Sequence, residues 1–140
     1  MRALVVVAAS TLALALGGCG ANDADQVQAT LNQFAHAVAN RNAKPICDRV
    51  LAPELVARLE GVGLSCQYAI EHFFFSCKLQ HPTITVGKVA IRGNKARALV
   101  YAGAKGQTGG IFAMGLVKTS QGWRIATESA ERGRGAGACR

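Results

Sequence analysis

Cys19, Cys47, Cys66, Cys77 and Cys139 are the side chains of this 140-residue chain best equipped for covalent chemistry. No two form a Cys-x-x-Cys pair, the spacing that brings two sulfurs onto one zinc ion or into one redox disulfide. The ionisable residues are equally dispersed. Asp48 follows Cys47 and borders the apolar Ile46 and Val50. Glu71 and His72 are neighbours, but at 100° per residue on a helix they diverge. Tyr68, Tyr101, His81 and Glu128 stand alone. There is no Ser/His/Asp order and no metal-spaced histidine pair, and the glycines between 103 and 110 lack the Lys-Ser/Thr of a phosphate loop. The sequence therefore calls for no cofactor and no metal.

The place of Cys19 says more than its reactivity. Met1-Arg2 gives a short positive start, and residues 3–16 then carry no charge. A run of about 14 apolar residues suits a signal-peptide core and falls short of the roughly 20 that span a bilayer. Leu16-Gly17-Gly18-Cys19 ends it, and this phrase resembles the lipobox of bacterial lipoproteins. The resemblance implies cleavage between Gly18 and Cys19, acylation of Cys19, and a lipid anchor on the extracytoplasmic face of the cell membrane. A plain secretory signal whose cleavage region contains Cys19 is the alternative. With Cys19 taken by lipid, four cysteines remain, an even number that outside the cytoplasm implies disulfides, with three possible pairings.

Removing residues 1–18 leaves 122, enough for one domain with a core. Of the 16 Lys and Arg only Arg2 is lost, so 15 positive side chains face 8 negative ones, a balance of +7. That charge favours anionic surroundings such as lipid headgroups or cell-wall polymers. Nucleic acid is not the expected partner: the basic residues are scattered, and Trp123 is the only tryptophan to stack on a base.

These residues need elements to position them. Residues 19–23 read as a lipidated tether. Val27, Leu31, Phe34 and Val38 then recur at helical period, with Asn22 or Asp23 as cap and His36 on the opposite, solvated side. Asn40-Arg41-Asn42 closes that helix, Pro45 opens a second, Pro53 a third that stops at Gly61, and Ser65 caps a fourth reaching Phe75. Ala69, Ile70, Phe73 and Phe74 form the fourth helix's expected buried set, while Phe73, Phe74 and Phe75 cannot all face one way. After Pro82 the period falls to two. Strands are expected over 84–91, 96–101, 111–119 and 123–128, with a hairpin turn at Arg92-Gly93-Asn94-Lys95, a long mobile loop from Gly103 to Gly110, and a tight turn at Ser120-Gln121-Gly122. On the third strand, Phe112, Met114 and Leu116 should pack under the helices. Ile111, Ala113, Gly115 and Val117 should form the outer face. Residues 131–140 are a Gly/Arg-rich tail, disordered by composition unless Cys139 ties it down. Helices followed by an antiparallel meander make an α+β domain.

The helix phrase Phe34-x-x-Ala37-Val38-x-x-Arg41 and the ending Val117-Lys118-Thr119-Ser120-Gln121-Gly122-Trp123-Arg124-Ile125 resemble the nuclear transport factor 2-like, or SnoaL-like, superfamily. The likeness covers most of residues 24–128, within a domain of 24–130. It implies a cone, in which N-terminal helices pack on a strongly curved antiparallel sheet. Exported lipoproteins of that superfamily often carry a cysteine pair placed like Cys47 and Cys66, which leaves Cys77 and Cys139 for each other. Members commonly dimerise through the outer face of the sheet, so a homodimer is a further expectation.

The superfamily holds enzymes, such as ketosteroid isomerase and scytalone dehydratase, and also binding proteins, so the fold does not argue for catalysis. Its enzymes set a carboxylate base with a Tyr or His inside an apolar cone. Asp48 or Glu128 as base, with Tyr68 or Tyr101 as proton donor, would be the candidates for an isomerase- or dehydratase-like activity. The leading expectation is instead a non-enzymatic envelope domain that binds a small apolar ligand or a protein partner.

Overall fold

The computed structural model describes residues 22–130, with the backbone alone for 127–130. The expected signal segment, Cys19, the expected tail and Cys139 lie outside the described residues. Helix α1 spans Asp23–Ala39, and the Asn22 side chain caps it by accepting from the Asp25 N–H at 2.9 Å. Its stripe is buried as its period requires, with Val27 and Leu31 at 0 % exposure, and His36 faces solvent. The chain leaves through Asn40 and a left-handed Arg41.

Helix α2, Ala43–Pro45, runs on into a π turn, Ile46–Val50. There the Leu51 N–H donates back five residues to Ile46 O at 2.9 Å, where an α-helix would reach back four. Helix α3, Pro53–Gly61, starts with its proline in the first turn. Leu55, Val56 and Leu59 are only half-buried, so α3 rides on the periphery. The left-handed residue after it is Gly63 and not the expected Gly61. Helix α4 covers Cys66–Ser76, with the Ser65 hydroxyl accepting from the Tyr68 N–H at 3.2 Å.

Four strands follow as one antiparallel meander in chain order: β1 Thr83–Arg92, β2 Lys95–Ala104, β3 Gln107–Thr119 and β4 Gly122–Ala130. Bulges at 86/89, 102/104 and 115/116 break the register. Each extra residue bends its strand, which is how a flat ladder becomes a curved sheet. Helix α1 lies across the concave face. Ala96 and Ala98 in the first half of β2 are small, leaving room there for Val27, Leu31, Met114, Leu116 and Trp123 to pack together. Burying a side chain such as Leu31 stabilises the fold by about 1.5–3 kcal/mol. Phe112, Met114 and Leu116 do face the helices, as expected. A second cluster of Ala37, Val38, Ile46 and Phe74 docks α4, and Phe34, Leu51 and Ile84 join it to the first. Both clusters fall within 22–130, so a chain beginning at Gly20 holds its whole described core.

The stretch expected to be a loop, Gly103 to Gly110, is ladder instead. Ala102 pairs with Gly110 and Ala104 with Gln107, leaving only Lys105-Gly106 as the turn. Tyr101 explains it. Its ring lies across the glycines, and a Cβ on Gly109 would fall 2.2 Å from the Tyr101 hydroxyl and 2.9 Å from Ala102 O. The aromatic ring covers a strand segment that glycine alone would leave bare.

Candidate functional site

Cys47 and Cys66 are bonded to each other, joining the π turn to the first residue of α4 and closing a loop around α3. Cys77 is buried and also disulfide-bonded.

The candidate acid and base residues do not converge. Asp48 sits on the π turn, exposed, and pairs with Lys44 one turn back at 2.6 Å. Tyr68 is 56 % exposed on α4, its ring 5.8 Å from that of His72. Tyr101 faces away from the cone: its neighbours Val100 and Ala102 take the inward positions of β2, and its ring is spent on the glycines of β3. Strand alternation sets that outward position. The backbone of Glu128 pairs with Met114; its side chain lies outside the described residues. His81 occupies an exposed left-handed turn, and Glu71 is exposed. Among the described residues no polar or charged side chain is buried, and no group of His, Cys, Asp and Glu could hold a metal ion.

Two surface features stand out. Tyr68, His72 and Phe75 recur at four and three residues on α4, which makes one exposed aromatic stripe, with Phe75 at 84 % exposure. Phe73, expected in the buried set, is also exposed, while Phe74 takes the inward place. The second feature is an open groove of about 460 Å³ between α1, the π turn and the start of β4. Gln26 and Gln33 line it from α1, Arg49 from the π turn, and Gln121, Trp123 and Arg124 from the other side. Thr30 Oγ1, 3.1 Å from Trp123 O, fixes α1 against β4 there. Sequence reading missed this groove, because Arg49 and Arg124 are far apart in the chain and share no period.

Electrostatics at the base of α1 are well defined. Asp23 accepts from Lys118 Nζ at 2.6 Å and from Trp123 Nε1 at 3.2 Å. The Lys118 hydrogen bond, and then that of Trp123, hold its carboxyl below the ordinary value of 3.8.

No family model matches the chain, and no curated protein does. Solved structures do. The Kfla4162 protein from Kribbella flavida superposes with a TM-score of 0.55 at 16% identity, covering 78% of this chain and 90% of that one. The de novo designed NTF2 fold protein NT-9 gives a TM-score of 0.43 at 14% identity, covering 73% and 80%. At these identities the likeness is one of fold. The chain is an α+β protein with helices on a curved four-stranded antiparallel sheet, a fold it shares with the Kribbella protein.

Proposed function

We propose that this protein is a lipid-anchored extracytoplasmic domain that works by binding, not catalysis, and that it takes a protein partner through the aromatic stripe of α4. The carrying observation is the division between its two sides. On the concave side, α1 packs Val27 and Leu31 onto Val100, Met114, Leu116 and Trp123, and no polar side chain is buried there among the described residues. Asp48, Tyr68 and Tyr101 point to different surroundings, so no acid–base pair forms among them. Small apolar ligands therefore have less to recommend them than a macromolecule. On the outside, Tyr68 and Phe75 are exposed, large and held on a helix that Ser65 caps and a disulfide fixes. Rigid aromatic anchors of this kind supply much of the energy at protein interfaces.

A photo-crosslinking residue at position 75, in cells that process the precursor, tests the reading. The same residue at Lys88, on β1, is the control. A discrete adduct at 75 that disappears with Tyr68→Ala and is absent from 88 is expected. Equal labelling at both positions, or none at 75, would remove the partner from this face.

A further inference from the structure

We propose that the groove between α1, the π turn and β4 binds a phosphate group carried by an anionic lipid headgroup; its placement at the membrane rests on the lipid anchor proposed above. Arg49 and Arg124 both line the groove, and no carboxylate does. Asp23 is engaged by Lys118 and Trp123, and Asp48 by Lys44. Arg49 has no hydrogen-bond or ion-pair partner among the described residues. Arg124 donates through one nitrogen to Gln121 Oε1 at 3.3 Å, which orients its planar fork and leaves further donors for a ligand. Paired donors of this geometry match phosphate oxygens two at a time, as a lysine ammonium does not. The side-chain amides of Gln33 and Gln121 add neutral donors along the same walls. The groove is open, as a headgroup that stays attached to its bilayer requires, and about 460 Å³ admits a glycerol phosphate.

Position supports the same ligand. Gln26 is one helical turn from Asn22, and Cys19 is three residues before Asn22, within about 11 Å of it even when the chain is fully extended. An anchor there holds this end of the domain against the headgroups. The formal balance of +7 left once Arg2 is lost acts in the same direction.

The test uses the unlipidated chain from Gly20 to Arg140, so its outcome does not depend on whether Cys19 is acylated. Cosedimentation is measured with phosphatidylcholine vesicles, with and without phosphatidylglycerol, and glycerol 1-phosphate is titrated while the amide signals of Gln121, Gly122 and Arg124 are followed. Binding only to the phosphatidylglycerol vesicles is expected, with competition by glycerol 1-phosphate. Arg49→Gln and Arg124→Lys should each weaken binding about tenfold, the loss of one charge-assisted hydrogen-bonded contact. Lys88→Gln and Arg92→Gln on β1 remove the same charge as Arg49→Gln and should change binding less than about twofold, as diffuse charge contributes little; Arg124→Lys keeps the charge and tests the planar fork alone. If glycerol 1-phosphate binds with the same Arg dependence and the vesicles do not, the groove is a phosphate site for a soluble ester and the headgroup assignment falls. Equal losses from the Arg49 and Lys88 variants would mean diffuse attraction and overturn the site. So would no binding in either arm. Failure of Cys19 acylation would remove the anchor and leave the groove result standing.

Discussion

Trp123 donates its indole N–H to the Asp23 carboxylate at 3.2 Å, tying the first residue of α1 to the buried aromatic that opens β4. Lys118 completes the junction from β3 at 2.6 Å. Both partners favour the charged carboxylate, so the folded value lies below 3.8. The stabilisation is therefore whole above that value and is lost as the pH falls through the lower folded one. Asp23→Asn should unfold at lower urea than the native chain at about pH 6, and the gap should close toward about pH 2. A gap that stays constant with pH would mean that the carboxylate's charge is not what holds the junction.

Tyr101 and Gly109 form a second dependent pair. Gly109→Ala should destabilise the domain by about 1–3 kcal/mol, the usual cost of overpacking. Tyr101→Ala should recover part of that loss in the double variant. Ala102 O, 2.9 Å from the added Cβ, accounts for the part not recovered. Denaturation midpoints of the four proteins of this cycle measure it, and strict additivity would show that the ring does not cover the glycine.

The helices were legible because their signals are local. Val27, Leu31 and Val38 repeat at helical period, and Asn22 and Ser65 are caps that act within three residues. Alternation on β3 likewise assigned Phe112, Met114 and Leu116 to the core. The glycine ladder was not legible, since Gly109 belongs in a strand only because Tyr101, eight residues earlier, lies across it. The π turn was equally hidden, for Ile46 to Val50 carries no residue that distinguishes it from an α-helix. At the surface, Phe73, Phe74 and Phe75 were legible as unable to share one face but not as to which would be exposed, and Arg49 and Arg124 became neighbours of one groove only through packing of α1 on β4. Scattered charge in sequence was gathered by topology.

The disulfides offer a direct check on the cysteine reasoning. Opening Cys47–Cys66, which closes a loop with a sequence separation of 19, should cost about 3 kcal/mol in the chain-entropy model. Cys47→Ser with Cys66→Ser should show it as a lower denaturation midpoint. Non-reducing peptide mapping should join Cys77 to Cys139. A Cys19–Cys77 peptide would contradict both that pairing and acylation of Cys19.

The convex face of the sheet gives a prediction about assembly. Leu99, Tyr101, Ile111 and Val117 share it with Lys95 and Arg97 and with a buried Ala113, and Ile111 is 54 % exposed. Sedimentation of the chain from Gly20 should reveal a concentration-dependent dimer that Val117→Lys dissociates. One monomeric species across the range, unchanged by that substitution, would leave the face to solvent.

An anchored binding module stands or falls on Cys19, since acylation there is what would hold the stripe on α4 at a membrane; the groove beside α1 is tested without it. Intact-mass analysis of protein extracted from the membrane fraction tests this most directly. The expected species begins at Cys19, lacks residues 1–18, and carries the added mass of a diacylglycerol; Cys19→Ser should abolish the processed form. A chain that retains residues 1–18, or one that begins beyond Cys19 with no lipid and is found in the soluble fraction, would contradict the account.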